Sequence, residues 1–344
     1  AFLKSRYVAN RSGLFFMDIK KIIQEALFED VERPEQVPTI TIQGKVVATK
    51  GNFITINGMP KSYKTTIMNF FIYSAIANTE IYTIKLSTDK KEKIVLIDTE
   101  QGVYDFDKQI KRLKRLLKVN KIPSQLLCYL FRRNEPNEIL QAIETILINE
   151  KPKYLFIDNL TELVLNPNDM LEAKTVVQFL KRITAEHDTT IICLLHLGKT
   201  SFNTLGNLGS YADRGTQASI KLKYDIDQDV ISIEPSLMRS DRLFNTIYLK
   251  YNSDTNIFDE IDVEPKETKK KAFDIMSQNF DALRFTLESC FEYKTEFTYS
   301  DLVEELKPLF GVGTNTVKQK IIPHLLKIKI LRKEAGFYKL ITKK

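Results

Sequence analysis

The sequence predicts an α/β protein with a mainly parallel sheet and a small second domain at its carboxyl end. Three observations carry this. Between about residues 40 and 255, short β-rich runs alternate with helical stretches, the order of a sheet whose strands are joined by crossover helices. The early runs are continuously apolar, as strands are when helices cover both faces. A polar, charged stretch over 261–271 (IDVEPKETKKK) then separates this pattern from three helical segments and a hairpin. The expected organisation is an N-terminal helical arm over 1–39, an α/β domain over 40–260, a linker over 261–271 and a small domain over 272–344.

The elements follow in order. In Leu14–Phe28, Phe15, Ile19, Ile22 and Ile23 recur at helical spacing, and Pro34 and Pro38 break the pattern behind them. Such a helix must pack its apolar stripe on its own core or on a neighbouring subunit. Strands are expected at Phe53–Ile56, Lys93–Ile97, Tyr154–Ile157, Thr190–Leu195, Ala218–Tyr224, Val230–Glu234 and Thr246–Tyr251. Helices are expected at Thr65–Asn78, Asp105–Val119, Pro136–Ile148 and Met170–Glu186. The last strands follow one another without helices, which suggests antiparallel additions at one edge. Ser201–Gln217 holds Gly206, Gly209 and Gly215 and few apolar residues, which predicts a mobile loop. Beyond the linker come a helix over Ala272–Glu292, a second one capped by Ser300 and ending at Leu309, and a third over Asn315–Lys327. The hairpin Ile328–Lys333 and Phe337–Ile341 turns at Ala335–Gly336.

Composition excludes several classes. With 344 residues, 43% hydrophobic and 28% charged, the chain can bury a large core and is neither disordered nor fibrous. No run of about 18 apolar residues is present to make a transmembrane helix. The first ten residues lack the apolar core of a secretory signal. Cys128, Cys193 and Cys290 lie far apart with no CxxC, which argues against a disulfide framework or a zinc site and suits a reducing cytoplasm. The net charge of +7 is uneven: from Phe310 to the end stand nine Lys or Arg against Glu334 alone.

The strongest chemical signal is Gly58-Met59-Pro60-Lys61-Ser62-Tyr63-Lys64-Thr65, followed by Thr66, between an apolar strand and an apolar helix. Backbone N–H groups in such a loop, with the helix N-terminus behind them, make a concave anion site. Lys64 would reach the β- and γ-phosphates of a nucleotide and Thr65 would ligate Mg²⁺. Tyr63 stands where the usual pattern has glycine, so a bulky ring enters the turn. The run Ile94–Glu100 brings Glu100 just past a buried strand, where it could polarise an attacking water. Tyr154–Asp158 is four apolar residues running into one carboxylate, a typical holder of a Mg²⁺ hydration shell. The strand Thr190–Leu195 ends in His196, followed by Lys199; a polar residue there could sense a γ-phosphate. Arg239 and Arg242, in Met238–Arg242 between two late strands, could stabilise charge in cis or from a neighbouring subunit; Lys221 and Lys223 are the second candidates.

In the tail, Asn315, Lys318 and Lys320 lie on the third helix, and Arg332, Lys333 and Lys339 on the hairpin. Polar and basic side chains in these places can reach bases or phosphates of DNA. A protein-binding role for the same segment is the alternative.

Taken together, GMPKSYKT, IDTE, YLFID and LLHLGK resemble the RecA-like ATPases over roughly residues 40–255. The resemblance is greatest to the RepA-like replicative helicases of plasmids and mobile elements, which are related to DnaB-type hexameric helicases. It implies a RecA-like P-loop core that binds ATP and Mg²⁺. Lys64 and Thr65 match the Walker A residues, Asp158 the Walker B aspartate, Glu100 the catalytic glutamate and His196 the sensor position. Arg239 and Arg242 fall where such helicases place basic residues that reach the adjacent subunit's nucleotide. It also implies a homo-oligomer acting on DNA, with a hexameric ring as one form. The tail is similar to winged-helix domains. The expectation is an ATP-hydrolysing DNA motor; the alternative is an ATP-gated DNA-binding initiator, loader or regulator that unwinds nothing.

Overall fold

The computed structural model describes residues 7–9, 15–17, 23–24, 26–32, 35–197, 206–254, 257–262, 280–291 and 294–341. The chain divides into two units, Ala1–Val37 and Pro38–Lys344. In the first, β1 (Tyr7–Ala9) pairs antiparallel with β2 (Phe15–Met17), Tyr7 opposite Met17. This corrects the helix expected over Leu14–Phe28. The apolar residues at 14–17 are contiguous, and an unbroken apolar run with two aromatics suits a strand as well as a helix. Helical backbone is found here only at residues 23, 24 and 26 among the described ones.

The second unit runs β3 (Pro38–Ile42), β4 (Lys45–Thr49), β5 (Phe53–Gly58), the helix Lys64–Ala77, β6 (Ile84–Leu86), β7 (Ile94–Asp98), the helix Val103–Leu117, β8 (Leu126–Leu130), the helix Pro136–Glu150, β9 (Tyr154–Asp158), the helix Met170–His187, β10 (Thr190–His196), the helix Gly206–Gly215, then β11 (Ala218–Asp225), β12 (Val230–Met238), β13 (Ile247–Asn252) and β14 (Ile257–Glu260). The main sheet has nine strands in the order β14-β13-β12-β11-β5-β10-β9-β7-β8. From β8 to β11 all pairings are parallel; β12, β13 and β14 add antiparallel at one edge. This is the α/β fold with a mainly parallel sheet that the alternation predicts.

The continuous apolarity of the strands has a plain cause. Ile94 and Leu96 of β7 enter one apolar layer, while Val95 and Ile97 enter the other. Alternate side chains point to opposite faces, and both faces are covered. The Lys64–Ala77 helix is apolar nearly all round because β6 and the Val103–Leu117 helix pack on it besides the main sheet. β4, β3 and β6 form a small antiparallel sheet that the sequence does not predict. The buried Tyr154 hydroxyl, 2.7 Å from both Thr39 O and Ser87 O, joins it to β9.

The segment expected to be a loop over Ser201–Gln217 is a helix from Gly206 to Gly215, with Leu208 and Ala212 buried; residues 198–205, Lys199 among them, lie outside the described ones. Propensity disfavours glycine in helices, but two buried apolar residues at i and i+4 outweigh it here.

The C-terminal segment has its own apolar core, built on Leu287, Leu302, Leu306, Val317, Ile321, Leu325 and Leu331. Its elements are the helices Phe280–Phe291 and Tyr299–Phe310, the consecutive turns Thr314–Thr316, Val317–Ile321 and Ile322–Lys327, and the hairpin β15 (Leu331–Glu334) and β16 (Phe337–Leu340). Phe297 bridges to Tyr338, adding a short third rung to the hairpin. The second helix is capped by Thr298, which accepts from Asp301 N, rather than by Ser300. Among the described residues no helix is long and apolar enough to cross a membrane.

Candidate functional site

Strand register assembles the site. β5, β10, β9 and β7 are neighbours, with His196 opposite Gly58 and Asp98 opposite Asp158. Their carboxyl ends therefore open on one edge, the place where α/β sheets hold ligands.

The loop from Gly58 to Thr66 leads from β5 into the Lys64–Ala77 helix. A Cβ on Gly58 would run into Ser62 Oγ, with Lys64 Cγ at 3.2 Å and Leu222 Cβ at 3.3 Å, so any side chain there would displace the loop's own Ser62. Ser62 N–H donates to Met59 O at 3.2 Å and closes the turn. Pro60 and Lys61 are exposed, and Thr66 is half-buried in the first helical turn. That turn has no capping side chain and no acidic residue. Its free N–H groups and positive dipole end suit an anion. Ser62 Oγ is buried without a hydrogen-bond partner among the described residues, so the loop carries a donor that a phosphate oxygen would satisfy.

Tyr63 takes the left-handed conformation, φ 62° and ψ 23°, that glycine usually supplies in this turn. Its ring packs edge-on against Tyr224 and Phe258. These belong to β11 and β14, on the opposite side of β5 from β10, β9 and β7. The ring is thus packed toward the β11–β14 half of the sheet.

Lys64 Nζ donates to Gly58 O at 2.9 Å and Met59 O at 2.8 Å. Burial pushes its ammonium down to about 8, against the pull of Asp158 and Glu100. Thr65 Oγ1 donates to Asp158 Oδ2 at 2.9 Å. Burial pushes the Asp158 carboxyl up to about 6, and the negative charge of Asp98 adds to it. Thr65 and Asp158 together fit a magnesium ion: a hydroxyl and a carboxylate oxygen already in contact at the mouth of the phosphate loop.

Glu100 stands just beyond β7. Its Oε2 accepts from Asn159 Nδ2 at 2.7 Å and lies 3.6 Å from His196 Nε2, while Asn159 Nδ2 and His196 Nε2 are 3.2 Å apart. His196 first, and then Asn159, holds the Glu100 carboxyl below its ordinary value, so it is ionised at neutral pH. His196 Nδ1 is buried and has no hydrogen-bond partner among the described residues. The turn bearing Glu100 is fixed by Asp98, which accepts from Glu100 N at 3.0 Å and from Gln101 N and Nε2 at 2.6 Å each. Asn159, Asp98 and Gln101 are site residues that the sequence does not announce. Asn159 follows Asp158 directly, and an amide placed after a strand-end carboxylate is the one available signal.

The structure thus brings Gly58, Ser62, Lys64, Thr65, Glu100, Asp158 and His196 to one edge. It does not bring Arg239 or Arg242 there. Arg239 Nε donates to Thr216 O at 2.8 Å and Nη2 to Arg214 O at 3.0 Å, so it caps the end of the Gly206–Gly215 helix. The expectation of Arg239 as a charge stabiliser within its own chain is therefore corrected. Arg242 is exposed at the following turn. Lys223 pairs with Glu234 at 2.6 Å.

In the C-terminal segment, Asn315, Lys318 and Lys320 are exposed and have no polar partner among the described residues. On the hairpin, Arg332 lies 3.5 Å from Glu334, Lys333 sits over the Tyr338 ring, and Lys339 pairs with Glu296 at 3.0 Å. The helix residues are thus freer to meet a ligand than those of the hairpin.

No protein-family model and no curated protein matches the chain. Among solved structures it is similar to that of a KaiC-like protein from the hyperthermophilic archaeon Pyrococcus horikoshii, with a TM-score of 0.48 and 15% identity, covering 66% of this chain and 99% of that one.

Proposed function

We propose that the chain is a RecA-like ATPase that hydrolyses Mg·ATP at the carboxyl edge of its sheet and acts on DNA. The observation that carries this is the grouping of a strand-to-helix loop with an uncapped helix start, a buried lysine and the Thr65–Asp158 pair at the carboxyl edge of the sheet. Lys64 exchanges its two carbonyl partners for phosphate oxygens, and the loop N–H groups and Ser62 hydroxyl complete the grip. Thr65 and Asp158 would hold the magnesium ion, which supplies charge neutralisation at the phosphates when bound. Glu100 accepts the proton of a water that attacks the terminal phosphate, with ADP as the leaving group. Asn159 and His196 fix the Glu100 carboxylate and are placed to respond to loss of that phosphate. Steady-state ATP hydrolysis tests the reading: Lys64→Ala is expected to lower turnover at least about 100-fold, and unchanged turnover would sink it.

The basic C-terminal segment supports a DNA partner. Its order of helix, short rung, two helices and hairpin is that of a winged helix, and Lys318 and Lys320 suit phosphate contacts. A homo-oligomer, a hexamer being one form, follows from the RecA-like reading, with Arg242 rather than Arg239 free to reach a neighbouring nucleotide. The second reading is an ATP-gated loader or regulator, favoured by the presence of that basic module. A strand-displacement assay separates the two: unwinding marks a motor, and ATP-dependent footprinting without unwinding marks a switch.

A further inference from the structure

Tyr63 holds a left-handed backbone position at φ 62°. A bulky residue there carries a steric cost that its surroundings must offset. Those surroundings are aromatic. The Tyr63 ring meets Tyr224 edge-on at 4.9 Å and Phe258 at 5.8 Å between centroids. Tyr224 is itself held, its hydroxyl donating to Asp229 Oδ1 at 2.8 Å. Phe258 is buried; it meets Phe70, on the helix that follows the phosphate loop, at 6.0 Å and Tyr251 at 5.3 Å. Its carbonyl accepts the Tyr82 hydroxyl at 2.5 Å. The loop and its helix therefore both lean on one residue of the edge strand β14. That strand is also the last before the chain continues to the C-terminal helices.

We propose that Tyr63, Tyr224 and Phe258 form an aromatic brace that keeps the phosphate loop in its gripping shape and transmits its occupancy to β14. Tyr224 and Phe258 are positioning residues: both contact the Tyr63 ring and act through it. Edge-to-face aromatic contacts are directional, so movement of one ring biases the others. Coupling of this kind is reciprocal: if β14 favours the gripping loop, phosphate binding favours the packed β14. A glycine at position 63 would need no brace and would break the route. The inference rests on the nucleotide reading above.

The test is a double-mutant cycle on the full chain, with calorimetric titration of Mg·ADP into the wild type, Phe258→Leu, Tyr63→Gly and the double variant. Phe258→Leu is expected to raise Kd about tenfold when Tyr63 is present and less than about twofold in the Tyr63→Gly background. Tyr224→Leu provides the same comparison should Phe258→Leu fail to fold. Amide exchange over Ile257–Glu260 is expected to slow on adding Mg·ADP in the wild type but not in Tyr63→Gly. Equal Kd ratios in both backgrounds, or slowed exchange in both, overturn the brace and leave the nucleotide site standing. No binding of Mg·ADP to the wild type overturns the nucleotide reading and the brace together.

Discussion

Thr65 Oγ1 lies 2.9 Å from Asp158 Oδ2, a hydrogen bond between residues 93 apart in sequence. It ties the first turn of the helix after the phosphate loop to the end of β9, and it follows from the parallel sheet. β10 lies between β5 and β9 and pairs parallel with both, so all three strands run toward the same edge.

The ionisation of Asp158 and of the neighbouring Lys64 makes the nucleotide-free protein sensitive to pH. The folded value of Asp158 is about 6, above the ordinary 3.8, so folding resists its ionisation. That cost is absent below about pH 4 and complete above about pH 6. The folded value of Lys64 is about 8, below the ordinary 10.5, so a second cost is complete below about pH 8 and fades above it. Both act between about pH 6 and 8. Asp158→Asn is expected to raise the melting temperature at pH 7 by about 2–4 °C, with a smaller gain near pH 4.5. Thermal denaturation without nucleotide at the two pH values checks this, and a lower melting temperature at pH 7 contradicts it.

Glu100 is expected to serve turnover and not affinity. Glu100→Gln should lower kcat about 100-fold or more while keeping Mg·ATP binding. Because His196 and Asn159 hold the carboxyl below its ordinary value, Glu100 stays ionised to a lower pH than a free glutamate, and the proposed base is expected to work down to that pH. Asn159→Ala is expected to shift the acid limb of the kcat/KM profile to higher pH. An unmoved limb would show that Asn159 does not tune Glu100.

The two arginines of the late turn should separate. Arg239 holds the carbonyl end of the Gly206–Gly215 helix. Arg239→Ala is therefore expected to cost about 1 kcal/mol in urea unfolding. Arg242→Ala should leave stability within about 0.5 kcal/mol and lower ATP turnover only in the assembled protein. Stability loss in Arg242→Ala and none in Arg239→Ala would reverse the assignment.

For the C-terminal segment, Lys318→Glu with Lys320→Glu is expected to weaken DNA binding. Its dependence on salt should flatten by about one unit of slope for each phosphate that a lysine no longer neutralises. Lys339→Glu should matter less, since Lys339 already pairs with Glu296. Fluorescence anisotropy across a salt series measures both. A larger effect at Lys339 would move the DNA face to the hairpin.

Much of the fold is legible in the sequence because its signals are local. Continuous apolar runs such as Ile94–Ile97 mark two-sided burial, and Gly58 to Thr65 between a strand and a helix marks the loop. Expectation and structure part where distant contacts decide. Phe15–Met17 becomes a strand by pairing with Tyr7–Ala9, and Gly206–Gly215 becomes a helix by burying Leu208 and Ala212. The hydrogen bonds that place Glu100 are hidden for the same reason: Asn159 reaches it across 59 residues, and only the register of β7 on β9 shows it. The aromatic partners of Tyr63 lie farther still along the chain, so in the sequence its ring reads as an obstruction rather than as part of a brace.

The most direct measurement is calorimetric titration of Mg·ATP into the Glu100→Gln chain, where binding is isolated from turnover. One nucleotide bound per chain, abolished by adding Lys64→Ala, is the predicted result. No heat of binding, or equal affinity with and without the lysine, would contradict the claim that the turn after β5 grips a triphosphate.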